Sequence, residues 1–98
     1  EEAMREFNSI LEISPNDVIA RFYTGIIFSR LGNYNKAIEH LKNIIKGGFE
    51  SPTLYNNLGV FYELTEDYNK SINILNEGKE KFPDNPYILM NLAILQFK

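Results

Sequence analysis

His40 is the chain's one histidine, and Glu39 stands beside it. One imidazole with one neighbouring acid falls short of the ligand set that a zinc site needs. No serine or cysteine is placed to make that imidazole the base of a nucleophile, and its position on the 34–46 segment is expected to face outward. Glu63, Glu66 and Asp67 form the densest group of carboxylates. Paired acids do general acid–base work only when burial or a like charge shifts one of them. Where a helix passes into a turn, they read as solvating and capping groups instead. Gly47-Gly48 lacks the surroundings of a phosphate-binding loop and reads as a helix terminator. Asn69-Lys70-Ser71 matches a glycosylation acceptor, but Ser71 falls at a small, inward position of its segment. These residues predict no catalytic centre, no metal site and no cofactor.

Composition narrows the class further. With 44% hydrophobic and 23% charged residues, the chain has the make-up of an ordinary globular protein. A net charge of −3 argues against a nucleic-acid partner, since phosphate recognition needs clustered Lys and Arg. Here the basic residues are scattered from Arg5 to Lys98, usually near an acid. There is no cysteine, hence no disulfide framework and no thiolate site. The apolar runs fall far short of the roughly 20 residues of a membrane span. The chain opens on Glu1 and is read as an excerpt of a longer protein, with no targeting signal of its own. The weight of Asn, Ile and Lys fits an AT-rich, bacterial gene.

The elements that would position these residues emerge from an internal repeat. Displaced by 34 positions, the chain matches itself: Gly25 falls on Gly59 and then Ala93, and Ala3 on Ala37 and then Ser71. Tyr34, Asn35, Lys36, Ile38 and Leu41 fall on Tyr68, Asn69, Lys70, Ile72 and Leu75. Pro15 and Pro83 flank Phe49 at the same interval.

The best copy reads Tyr55, Leu58-Gly59, Tyr62, Ser71, Leu75 and Pro83. At that spacing the chain resembles the tetratricopeptide repeat family, over its whole length. The preceding copy reads Arg21, Thr24-Gly25, Phe28, Ala37 and Leu41, with Phe49 in place of proline. Half-copies flank them, with Ala3, Phe7 and Pro15 at one end and Leu89 and Leu92-Ala93 at the other. The expected division is 1–17 for the second half of a repeat, 18–51 and 52–85 for whole repeats, and 86–98 for a first half. The resemblance implies an all-α, right-handed superhelical array of helix pairs, each pair with an inner A helix and an outer B helix.

The residues support helices independently. Segments 18–31, 34–46, 53–64, 68–81 and 87–97 carry apolar residues at helical intervals, as in Ile38, Leu41, Ile44 and Ile45. Asn16, Asn33, Ser51, Asp67 and Asn85 stand where N-caps belong, and Pro52 and Pro86 suit first helical positions. With a helix at the start of the chain, the total expected is six, in the order B, A-B, A-B, A. Arg21 and Thr24 replace large apolar residues, so the 18–31 helix is expected to pack less fully than the 53–64 helix.

The resemblance also implies protein or peptide binding along the concave side. The matching inner positions are Ile19, Phe22, Tyr23, Ile26 and Ser29 in the first A helix, and Thr53, Asn56, Asn57, Val60 and Glu63 in the second. The third offers Tyr87, Met90, Asn91 and Ile94. Asn57 and Asn91 are 34 positions apart and are expected to stack in a row, with Tyr23 one repeat earlier. This is similar to the asparagine ladder in the repeats of protein O-linked N-acetylglucosamine transferase, although an Asn there can equally bond a neighbouring helix. Phe22, Ile26, Val60, Met90 and Ile94 form an apolar stripe beyond what the cores need. Phe22, Ile26 and Tyr87 stand where chaperone-binding relatives carry Lys and Arg, which argues against a carboxylate clamp. The leading expectation is therefore a non-enzymatic scaffold or adaptor segment. The alternatives are head-to-tail self-association through the terminal helices, or the recruiting arm of an enzyme whose catalytic domain lies elsewhere.

Overall fold

A computed structural model describes residues 2–97. These form six α-helices and no strand: α1 (Glu2–Ile13), α2 (Val18–Arg30), α3 (Tyr34–Lys46), α4 (Pro52–Leu64), α5 (Tyr68–Lys81) and α6 (Pro86–Leu95). Helices α2 to α6 each start where a side chain satisfies an orphan amide of the first turn. Asn33, Ser51, Asp67 and Asn85 are the N-caps of α3 to α6, and Pro52 and Pro86 fall in the first turns of α4 and α6. The cap of α2 is Asp17 rather than Asn16: its carboxylate accepts from Ala20 N at 2.9 Å. Both residues are good caps, and the spacing of three to the receiving amide selects the second. α6 ends at Leu95, two residues earlier than its apolar pattern suggests.

The chain folds as two compact units that meet between Glu50 and Ser51. In the first unit, α2 packs against both α1 and α3. The α3 face of Ala37, Ile38, Leu41 and Ile44 is buried against α2, whose own buried residues are Ala20, Thr24 and Gly25. The Thr24 hydroxyl is buried without a hydrogen-bond partner among the described residues.

In the second unit, α4 packs against α5 and α6, and α5 against α6. α4 buries Leu54, Tyr55, Leu58, Gly59, Phe61 and Tyr62, twice as many residues as α2, in line with the loss of large apolar groups at Arg21 and Thr24. A Cβ on Gly59 would come within 2.7 Å of Leu75, and one on Gly78 within 2.7 Å of the Tyr55 Cβ. The helix-propensity cost of Gly78, about 1 kcal/mol, is thus offset by the close approach of Tyr55. Ser71, the residue of the apparent glycosylation acceptor, is fully buried and donates from Oγ to the Gly59 carbonyl at 2.7 Å.

Candidate partner-binding surface

α6 reads Pro-Tyr-Ile-Leu-Met-Asn-Leu-Ala-Ile-Leu, apolar on nearly every side. A helix of that kind calls for cover all round, yet its unit covers only one face. Ile88 and Leu95 are buried in the core of the second unit. On a second face, Tyr87, Met90 and Ile94 follow one another at helical intervals and are 65%, 55% and 44% exposed. On a third face lie Leu89, Ala93 and Gln96.

Beside the second face runs a chain of asparagines. Asn91 Nδ2 donates to Asn56 Oδ1 at 2.9 Å, tying α6 to α4. Asn56 Nδ2 in turn reaches Asn85 Oδ1 at 3.4 Å, and that oxygen also accepts from Tyr87 N and Ile88 N, each at 3.1 Å. The helix-to-helix contact therefore joins Asn91 to Asn56, not to Asn57. Equivalent positions on adjacent helices are separated by the interaxial distance of about 8–10 Å, too far for a direct bond. Contact falls to the residue one step round the helix. Asn57 and Val60 are half-buried on α4, and the Asn57 side chain makes no hydrogen bond among the described residues. Thr53 is exposed and Glu63 half-buried.

In the first unit, Tyr23 stacks on Phe7 of α1, with ring centroids 5.7 Å apart and planes 12° from parallel. Phe22 meets Tyr23 edge-on at 5.4 Å. Phe22 and Ile26 are half-buried and Ile19 is exposed. The Ser29 hydroxyl is turned back to the Ile26 carbonyl at 2.6 Å.

His40 does not face outward as its surroundings in the sequence suggest. It is half-buried and lies stacked on Phe28 at 5.6 Å, with the Lys36 ammonium 5.5 Å from the Phe28 ring. Arg21 Nη1 donates to His40 Nδ1 at 3.2 Å, while Arg21 Nε holds the Pro15 carbonyl at 2.9 Å. Burial, and then the Arg21 charge, hold the His40 pKa below its ordinary value; Lys36 adds to this and Glu39 opposes it. The signal that could have found this lies in the spacing: on the helix, position 40 flanks the buried face lined by 37, 41 and 44.

Among the carboxylates, Asp67 caps α5 and lies 3.7 Å from the Lys70 ammonium. Among the described residues no group of three His, Cys, Asp or Glu side chains is placed to hold a metal ion, and no helix is long and apolar enough to cross a membrane.

Short antiparallel-type helix pairs, closed by a small residue on one helix against a leucine on the next, define an all-α helical repeat array. Residues 52–84 match the model of the tetratricopeptide repeat. Over 98% of its length the chain is 29% identical to a TPR repeat-containing protein of Methanocaldococcus jannaschii, of which it spans 17%. Both matches support an assignment to the tetratricopeptide repeat family. Repeats of this family generally mediate protein–protein interaction and are typically non-catalytic scaffolds.

Proposed function

We propose that this chain is a scaffold or adaptor segment that binds a peptide or a protein helix on the inner faces of its A helices. The observation that carries the reading is the exposed Tyr87, Met90 and Ile94 stripe of α6, which its own unit leaves uncovered. Polar groups flank that stripe: the Asn91–Asn56 pair on one side and the Asn57 carboxamide on α4. A carboxamide offers a donor and an acceptor at once, which suits the backbone of an extended peptide. One or two such bonds supply only about 1–3 kcal/mol net, so apolar contact at Met90, Ile94 and Val60 has to carry most of the affinity. Phe22, Tyr23 and Ile26 offer the corresponding face of the first unit.

On this reading the 34-residue register, unbroken from Ala3 to Ala93, divides the chain into segments 1–17, 18–51, 52–85 and 86–98 of one array. The test is a peptide selected on the wild-type chain from a random library. Met90→Glu combined with Asn57→Ala should abolish its capture while helicity by circular dichroism is kept. Capture at unchanged affinity would overturn the reading.

A further inference from the structure

One side chain spans the joint where α1, α2 and α3 come together. Arg21 Nε donates to the Pro15 carbonyl, in the turn between α1 and α2, and Nη1 donates to His40 Nδ1 on α3. The guanidinium is a rigid plane, so swinging Nη1 away from His40 also turns Nε out of line with Pro15. The turn has little else to hold it. Ser14, Pro15 and Asn16 are exposed, and the turn's backbone bonds run from Ser14 N to the Ile10 carbonyl and from Asp17 N to the Ser14 carbonyl.

His40 is the end of this bridge that a proton can reach. Its Nδ1 accepts only while bare; once protonated, it sets a second N–H and a positive charge against Arg21. The charged groups around the imidazole are Arg21 from α2, with Lys36 and Glu39 from α3, two cations against one acid. Phe28, stacked on the ring from α2, brings no charge. The main α2–α3 contact is of another kind. Ala37 and Leu41 are buried against Gly25, and none of the three titrates. A proton at His40 therefore breaks the bridge and leaves that packing in place. In the second unit Tyr55 and Ile74 stand 34 positions after Arg21 and His40, and neither takes up a proton near neutral pH.

We propose that Arg21 and His40 form an acid-opened latch: protonation of the imidazole frees Arg21 from both partners and loosens the α1–α2 turn, while α2 and α3 stay packed. The latch is closed above the His40 titration and opens as pH falls through it. Burial and the Arg21 charge set that point below 6.5. The turn governs how α1 meets α2, where Tyr23 stacks on Phe7 at 5.7 Å, so its opening loosens that contact next. The latch does not rest on the peptide-binding reading, and its test uses no ligand.

The test is NMR on isotopically labelled chain from pH 7.5 to 5, for the wild type, His40→Gln and Arg21→Met. In the wild type the Arg21 Nε–H and the Asn16 and Asp17 amides should titrate with the midpoint read from the His40 ring. Protection of the Asp17 amide, corrected for intrinsic exchange, should fall roughly tenfold across that midpoint, the worth of one charge-assisted hydrogen bond. Protection at Leu41 should hold. His40→Gln keeps an acceptor for Arg21, and its turn should lose the titration. Arg21→Met should show the open turn at every pH and raise the His40 midpoint, which a purely structural contact would not move. Turn signals that ignore the His40 midpoint would overturn the latch, as would a turn that still titrates in His40→Gln. Protection lost together at Asp17 and Leu41 would also overturn it, because the change would then be global unfolding.

Discussion

The Arg21 guanidinium donates to His40 Nδ1 across 3.2 Å, and this single bond ties α2 to α3 through the chain's one histidine. The same guanidinium holds the Pro15 carbonyl between α1 and α2. Nδ1 can accept that proton only while it carries none itself, so the bond exists with neutral imidazole alone.

That requirement fixes a pH dependence. The folded-state pKa of His40 lies below the ordinary 6.5, first through burial and then through Arg21. As pH falls below 6.5 the unfolded chain takes up a proton at this site before the folded chain does. The stability contributed is therefore whole above that pH and lost as pH falls through the folded-state pKa. Urea midpoints measured from pH 7.5 to 5 should fall in the wild type and fall less steeply in His40→Gln, which keeps an acceptor for Arg21. Parallel curves would remove His40 from the account.

Glu66 stands one repeat after Gly32 and adopts the same left-handed turn, with φ of 63° against 81°. A side chain in that region carries a penalty of roughly 1–2 kcal/mol, partly returned by the lower unfolded-state entropy of a non-glycine residue. Glu66→Gly should therefore raise stability by about 0.5–1 kcal/mol in chemical denaturation. Gly32→Ala should lower it by about 1 kcal/mol, although nothing lies within 4 Å of the added Cβ. A neutral result at both positions would mean the turns relax freely.

At Gly78 two effects of opposite sign compete. Alanine would gain about 1 kcal/mol of helix propensity, but its Cβ would meet the Tyr55 Cβ at 2.7 Å and Ile88 Cδ1 at 3.2 Å. Tyr55 is fully buried and contacted close to its backbone, so it cannot swing aside. Overpacking of about 1–3 kcal/mol should win, giving Gly78→Ala a lower melting temperature than the wild type. A higher one would show that α5 and α4 can separate at no cost.

The two asparagines of α4 should behave differently. Asn56 bonds both Asn91 and Asn85, the latter being the cap of α6. Its removal should cost about 1 kcal/mol, whereas Asn57→Ala should change stability by less than about 0.5 kcal/mol. Equal losses would mean that Asn57 also serves the fold.

Most of the architecture is legible in the residues because each helix carries its own punctuation. Ser51-Pro52 and Asn85-Pro86 mark starts that no packing detail can displace, and the recurrence of Gly25, Gly59 and Ala93 marks which helix faces must come close. Less legible are the choices between neighbours of the same kind. Asn16 and Asp17 are both competent caps, and only the carboxylate's reach to Ala20 N separates them. Asn56 and Asn57 are identical in type, and the lateral spacing of helices, absent from any one-dimensional register, hands the contact to Asn56. His40 is legible in part: its spacing from the buried Ala37 and Ile44 turns it inward, while its stacking on Phe28 and its bond to Arg21 depend on residues of another helix.

The central claim is that the inner faces of the A helices bind a protein segment, and chemical-shift mapping by NMR tests it most directly. A library-selected peptide titrated into isotopically labelled chain should move the signals of Asn57, Val60, Tyr87, Met90 and Ile94 together, with one affinity. Shifts confined to Leu89, Ala93, Gln96 and the α5 residues Ile72 and Asn76, with the Tyr87 to Ile94 stripe unmoved, would contradict it.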